Sequence, residues 1–159
     1  MNLLDIMTLE AIKIPLEATT KKAAIEELVE LLSAAHLIED AEALKAAVWQ
    51  REQQRTTGIG EGLAIPHGKC RSSQELHLAI GRPAQDMDFG SVDKKPVKLI
   101  VLLASPPNKT SDHIQALGKI SRLVANPEFR DAAYSAESAA ALYDLFRKAE
   151  EESQVGGRH

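Results

Sequence analysis

The chain has 159 residues, the size of one ordinary domain, and 44% of them are hydrophobic, enough to bury a continuous core without disulfide or metal staples. Nineteen Lys and Arg against 23 Asp and Glu give a formal charge of -4 and a pI near 5.7, which excludes a global positive field able to hold a nucleic-acid backbone. The single cysteine, Cys70, cannot form an internal disulfide, no apolar run is long enough to span a bilayer, and the N-terminus lacks the features of a secretion signal, so the cytoplasm is the expected compartment.

Residues 11–17 (AIKIPLE) alternate polar and apolar and predict a short strand, which Pro15 assigns to a sheet edge. Thr20 then caps a helix reaching about residue 35, with Ile25, Leu28, Val29 and Leu32 as its apolar stripe. His36 falls at the C-terminal end of that helix, where the dipole favours imidazolium, and reads as a solvated terminal residue. Asp40 opens a second helix (AEALKAAVWQREQQR) in which Leu44, Val48 and Arg51 share one face. Arg51 either snorkels along the core edge or brings a permanent cation to a pocket, and position alone does not choose between them.

Residues 56–70 (TTGIGEGLAIPHGKC) hold Gly58, Gly60, Gly62 and Gly68 around the apolar run Leu63, Ala64 and Ile65. The glycine spacing fits neither a dinucleotide fingerprint nor a P-loop, since no Gly-Lys-Ser/Thr closes it and no clear strand precedes it. What remains is a tight loop, a short buried strand, and a Pro66-His67-Gly68 turn that takes the histidine off the strand's end to an irregular edge.

Residues 76–80 and 97–104 are strands, and the second (VKLIVLLA) is so uniformly apolar that both of its faces are covered and its place is central in the sheet. Residues 81–96 between them, polar and punctuated by Gly and Pro, form a loop or hairpin connection. Ser105-Pro106-Pro107-Asn108 ends the buried strand, and a helix begins near Ser111 with His113, Leu117, Ile120 and Val124 on one face, which puts His113 in its first turn facing inward. Asn126-Pro127 supplies a cap and a first-turn proline, and Ser135 begins a last helix through Leu142, Leu145 and Phe146. Residues 151–159 are expected to be a flexible solvated tail, in which His159 has no role. The alternation of strands and helices, without repeats or linkers, argues for a single α/β domain over residues 1–150.

Three residues stand out by setting: His67 after one buried strand, His113 at the start of a helix after another, and Arg51 on an inward helical face. Sites in open α/β sheets gather outside the carboxyl ends of strands, so if the two strands are parallel neighbours the histidines meet. A helix N-terminus disfavours imidazolium at His113 and leaves a neutral ring making one specific hydrogen bond. His77, alternating with Leu76 and Leu78, reads as an ordinary strand residue.

Arg51-Glu52 with Thr56-Thr57-Gly58-Ile59-Gly60, followed by Gly62-Leu63-Ala64-Ile65-Pro66-His67-Gly68, resembles the enzyme IIA domain of the bacterial phosphotransferase system in its fructose/mannitol and nitrogen-regulatory branch. Asp112-His113-Ile114 through Leu117 and Ser121-Arg122-Leu123 are similar to that family's second-histidine helix, so the resemblance runs from residue 1 to about 148. Departures are mild: Glu61 stands in a variable slot, Cys70 follows Gly68-Lys69 where various residues occur, and the tail has no counterpart. The resemblance implies a mixed, mostly parallel β-sheet with helices on both faces. It also implies a phosphotransferase without cofactor or metal, with His67 as phosphoryl acceptor, His113 as supporting histidine and Arg51 as the family's arginine.

In that family the phosphocarrier protein HPr donates the phosphoryl group, which then passes to an enzyme IIB partner in sugar uptake or serves as a regulatory charge. The residues suit this chemistry. Neutral imidazole is an adequate nucleophile near pH 7, and transfer through a loose, in-line transition state depends on positioning and charge neutralisation, which a guanidinium supplies. Thr57, Gly58, Gly60 and Gly62 are expected to bring backbone N–H groups to the same oxygens, and His113 to donate a hydrogen bond to them or fix the geometry of His67. The linkage expected is through Nε2 of His67, with its Nδ1–H held by a backbone carbonyl. Ile59, Leu63 and Met87 are candidates for an apolar docking ring.

Two other readings compete with this one. A metal-assisted hydrolase with His67, His113 and Cys70 as ligands lacks an HExxH motif, a paired CxxC, and any carboxylate at a recognised interval. A nitrogen-type regulatory module, whose phosphorylation changes affinity for a target protein without onward transfer, fits the same residues. Residues 112–133 match the fructose-type pattern and residues 58–70 the regulatory type, so both subdivisions stay open.

Overall fold

Every residue of the strand Leu99–Ser105 is buried, and the rest of the chain is arranged around it. The computed structural model describes residues 1–156. Its strands are β1 (Ile12–Leu16), β2 (Gly58–Gly60), β3 (Leu63–Ala64), β4 (His67–Lys69), β5 (His77–Pro83) and β6 (Leu99–Ser105). The helices are α1 (Lys21–Ala34), α2 (Ala41–Gln54), α3 (Thr110–Ala125), α4 (Pro127–Ser135) and α5 (Ala139–Gly156), preceded by two short 3-10 turns. The sheet order is β1-β5-β6-β3-β2, with β4 also paired to β6. Pairings β1 with β5, β3 with β6 and β4 with β6 are parallel; β5 with β6 and β2 with β3 are antiparallel.

Side chains alternate across β6, which builds two cores. Leu99, Val101 and Leu103 pack with Ile120, Val124, Phe129 and Phe146 of the helices α3 to α5. Ile100, Leu102 and Ala104 pack with Ile25, Leu28, Leu44 and Val48 of α1 and α2. Helices therefore cover both faces, as a strand apolar on both sides requires.

Local signals held where local chemistry decides. The side chains of Thr20, Asp40 and Asn126 accept hydrogen bonds from Ala23, Asp40's helix residue Ala43, and Glu128, and Pro127 occupies the first turn of α4. The strand carrying Pro15 lies at a sheet edge. His36 is exposed and ends α1 in the left-handed region at φ 60°.

Other boundaries move. The strand expected over 76–80 continues to Pro83, while Val97 forms an isolated bridge with Met87 and β6 begins only at Leu99. Ser135 closes α4 with its hydroxyl bonded back to the Asp131 carbonyl, and Ser138 caps the last helix instead, its hydroxyl accepting from the Ala141 N–H at 3.1 Å. That helix runs past residue 150 to Gly156, so the segment read as a tail is helical in its first part. Buried Glu150 binds Lys119 at 2.7 Å and Arg147 pairs with Glu151 at 2.7 Å, which carries the helix beyond the expected boundary. Residues 157–159, with His159, lie outside the described residues.

The largest correction concerns Pro66. Leu63 pairs with Leu99, Ala64 with Ile100, His67 with Leu103 and Gly68 with Ala104, so β3 and β4 keep one register against β6. They are one strand interrupted at Ile65 and Pro66. The proline lacks an N–H, yet its carbonyl still accepts from Leu103 at 2.9 Å, and the chain resumes its pairing one residue later. His67 thus begins a resumed strand at the sheet's margin and is not carried away on a turn.

Gly68 lets α2 close on β4. A Cβ there would lie 2.9 Å from Val48 Cγ2 and 3.0 Å from the Val48 backbone nitrogen. Gly68→Ala is expected to destabilise the fold by about 1–3 kcal/mol through overpacking, read as a lower urea midpoint at unchanged slope; an unaltered midpoint would show that α2 yields freely.

Candidate active site

Between α2 and β4 lies an open cleft of about 890 Å³ whose walls include Arg51, Gln54, His67, Lys69, Arg71 and His113. The three residues singled out from the sequence therefore meet. His67 faces the side of the sheet on which α3 packs, because its parallel partner Leu103 does, and α3 brings His113 to it from that side. The ring centroids are 5.0 Å apart at an interplanar angle of 73°, an edge-on arrangement.

The Nδ1 atom of His67 lies 2.9 Å from the carbonyl oxygen of Ile65. A carbonyl only accepts, so the hydrogen sits on Nδ1 and Nε2 keeps its lone pair. Burial lowers the pKa of His67 below 6.5; the Ile65 bond opposes that, and the positive charge of Arg51 adds to it. The ring is consequently neutral near pH 7.

His113 is buried in the first turn of α3, with Nδ1 2.6 Å from the hydroxyl oxygen of Ser105, itself fully buried. Burial pushes its pKa from 6.5 down to about 4, aided by neighbouring His67 and Lys69. Arg51, half-buried on α2, donates from Nη1 to its own helix end at Arg55 O, 2.9 Å away. Among the described residues it has no carboxylate partner, so the remaining guanidinium donors are uncommitted.

Two residues essential to this geometry were not anticipated. Glu52 has a side chain only 1% exposed, and its carboxylate accepts from the Thr57 N–H at 2.6 Å, from the Thr57 hydroxyl, and from Lys21 Nζ at 3.1 Å. The Thr57 carbonyl in turn accepts from Ile65 N at 3.1 Å, and Ile65 holds His67. The signal existed: Leu44, Val48 and Glu52 are spaced by four, so Glu52 continues the buried stripe that Arg51 flanks. Ser105 carried no such signal, standing in a stretch legible only as a strand terminator.

The expected phosphate cradle is not where the glycines are. Thr57, Gly58, Gly60 and Gly62 are absent from the cleft walls. A Cβ on Gly58 would fall 2.2 Å from the Ser91 hydroxyl, Gly60 abuts Asp93, and Gly62, at φ +79°, lies against the Tyr134 ring. These positions serve close packing of the β2–β3 hairpin against residues 91–93 and α4, while Thr57 serves Glu52. The docking ring also needs correction, since Leu63 and Met87 belong to the cores and of the three only Ile59 is exposed. Exposed Ile114, beside His113, was not foreseen. Cys70 is buried, 3.4 Å from the Ser72 hydroxyl, and among the described residues no three His, Cys, Asp or Glu side chains stand together as a metal-ligand set.

Comparison with known proteins covers nearly the whole chain. The profile of the family described as "Phosphoenolpyruvate-dependent sugar phosphotransferase system, EIIA 2" matches residues 5–149. The fructose-specific EIIA component of Haloferax volcanii is 34% identical over 148 residues, which cover 91% of this chain and 96% of that protein. The nitrogen regulatory protein of Bradyrhizobium diazoefficiens is 34% identical over 146 residues, covering 91% and 94%. The chain spans only 23% of the fructose-specific EIIABC component of Bacillus subtilis, to which it is 34% identical over 148 residues. Among solved structures, nitrogen regulatory protein IIA-Ntr from Neisseria meningitidis aligns with a TM-score of 0.84 at 28% identity, covering 91% of this chain and 98% of that one.

Glu52→Ala is expected to cost about 3 kcal/mol, the lower end for breaking a buried ion pair, because Lys21 keeps some access to water; urea denaturation measures it. The lowered histidine pKa values give a second outcome. Unfolded His113 takes up its proton near pH 6.5 and the folded form only near 4, so stability is full above pH 6.5 and declines as pH falls toward 4. His113→Gln should flatten the decline in thermal midpoint across this window; an unchanged slope would contradict the burial argument.

Proposed function

The chain belongs to the EIIA 2 family of the phosphoenolpyruvate-dependent sugar phosphotransferase system, and we propose that within it His67 carries a phosphoryl group on Nε2, accepted from phosphorylated HPr and passed to an enzyme IIB partner. The observation that carries this reading is the bare Nε2 of a neutral, half-buried imidazole in an open cleft beside an uncommitted guanidinium.

The lone pair of Nε2 attacks phosphorus while the bond to the donor's imidazole nitrogen breaks, the leaving nitrogen keeping the electron pair. Positive charge grows on the His67 ring as this happens. The Ile65 carbonyl, already bonded to Nδ1–H, steadies that charge without any movement. Arg51 offers its planar fork to the transferring oxygens, a geometry a lysine would not reproduce. His113 stands edge-on to the reacting ring, where it can donate a hydrogen bond to an incoming oxygen or hold His67 in line. Little covalent assistance is needed in a loose transition state, so placement and charge carry the catalysis.

Because the group passes between proteins, the nucleophile has to be reachable, which an open cleft at the sheet's margin allows. The contact is transient and of modest area, at the low end of protein interfaces. No helix among the described residues is long and apolar enough to cross a membrane.

A second reading has a specific observation in its favour: the chain is as similar to a nitrogen regulatory protein as to a fructose-specific component, 34% in each case. There the same phosphorylation adds about two negative charges beside Arg51 near pH 7 and alters affinity for a target protein, without transfer to sugar.

Incubation with enzyme I, HPr and phosphoenolpyruvate is expected to add one acid-labile, base-stable phosphoryl group. His67→Ala should abolish it, and retention of the label in that variant would move the site elsewhere. Arg51→Ala and His113→Ala should each slow the transfer by about 100-fold, the usual loss for one electrostatic partner of a transition state. Addition of a fructose-type IIB separates the two readings: discharge of the label marks a relay component, a stable label marks the regulator.

A further inference from the structure

We infer that Ser105 is a positioning residue that selects the tautomer of His113, so that this ring turns an N–H, and not a lone pair, toward the phosphoryl group on His67. The inference rests on the phosphoryl-carrying role proposed for His67.

Ser105 is the last residue of β6 and continues the series Leu99, Val101, Leu103 that faces α3. Its backbone is tied down, the carbonyl accepting from Cys70 N at 2.8 Å. The residue is wholly buried, and among the described residues its hydroxyl has one hydrogen-bond partner, Nδ1 of His113 at 2.6 Å. A neutral imidazole has one N–H and one bare nitrogen, and a hydroxyl has one hydrogen, so two arrangements exist.

In the first, the Ser105 hydroxyl donates to Nδ1 and the ring hydrogen sits on Nε2, the nitrogen that Ser105 does not engage. Every hydrogen then has an acceptor or an open route to the cleft that His113 lines. In the second, Nδ1–H donates to Ser105, whose own hydrogen is left in the protein interior with nothing to accept it. Leaving a buried donor unpaired disfavours that state by roughly ten- to a hundredfold in population. The first arrangement therefore prevails, and burial keeps the ring neutral so that the choice of tautomer matters.

The two histidines consequently have opposite polarity. The Ile65 carbonyl fixes the hydrogen of His67 on Nδ1 and bares its Nε2 for attack, whereas the Ser105 hydroxyl leaves His113 with Nε2–H as a donor for the oxygens of the transferred group. A His113 ring with its lone pair outward would instead set a negative dipole end against those oxygens.

Nitrogen NMR of the unphosphorylated full chain at pH 7, with His113→Gln to assign the signals, tests this directly. In the wild type His113 should show a protonated Nε2 and a hydrogen-bonded, unprotonated Nδ1; a protonated Nδ1 overturns the inference. Ser105→Ala should lose the single tautomer, lowering the ratio of the two forms about tenfold or more, and slow phosphoryl transfer to His67 about tenfold while the His67 signals stay as they were. Ser105→Thr, which keeps a hydroxyl, should restore both. Wild-type transfer rates or an unchanged tautomer in Ser105→Ala overturn the role of Ser105 while leaving His67 as the carrier. Failure of the wild type to accept any phosphoryl group overturns the functional reading, and the inference with it.

Discussion

A carboxylate removed from water governs the working end of this molecule. Burial of Glu52 is tolerable only because Lys21 neutralises it and Thr57 offers it two donors, an N–H and a hydroxyl. That requirement draws three distant stretches of chain together. Lys21 at the start of α1 also donates to the Phe89 carbonyl at 3.0 Å, and the Thr56 hydroxyl reaches the same carbonyl at 2.8 Å. Thr57 is thereby held, Ile65 is held by Thr57, and the ring of His67 is oriented by Ile65. The His67 ring owes its direction to a charge with which it makes no hydrogen bond.

The electrostatics of the cleft run against those of the whole. The chain carries a formal charge of -4, yet the cleft gathers Arg51, Lys69 and Arg71 around two neutral imidazoles. Three cations against one carboxylate, Asp40, line this cleft, so an anion meets a local positive excess on a protein of net negative charge. Neutrality of the rings belongs to the same arrangement: burial lowers the pKa of both, His113 furthest, so near pH 7 the permanent cation beside the His67 ring is the Arg51 guanidinium.

What could be read from sequence divides along the range of the interactions. Caps at Thr20, Asp40 and Asn126 and the double-faced burial of β6 depend on neighbours within a few residues, and they were legible. The meeting of Arg51, His67 and His113 followed from strand-end reasoning together with the family resemblance. Glu52 shares the four-residue spacing of Leu44 and Val48, but an acid on that buried stripe makes sense only beside Lys21, which the fold brings from thirty-one residues earlier, and Ser105 gains its meaning only once β6 and α3 pack and His113 reaches its hydroxyl. The glycines were misread for the same reason: Ser91 and Tyr134, which make their lack of a side chain necessary, come about thirty and seventy residues later. Pro66 was overvalued as a strand breaker, since at the sheet's margin a missing N–H removes only one of the bonds a strand needs and the Pro66 carbonyl still pairs.

The shared register of the strand halves on either side of Pro66 has a consequence for fidelity of assembly. Successive residues of a strand point to opposite faces, so a slip by one position would swing the His67 imidazole toward the α1 and α2 side and away from His113. The same slip would drag Leu63 and Ile65 out of the hydrophobic layer they fill. A misaligned chain is therefore penalised by its greasy residues first, and the pairing of Leu63 with Leu99 acts as a gauge that sets the direction of the His67 ring four residues further on.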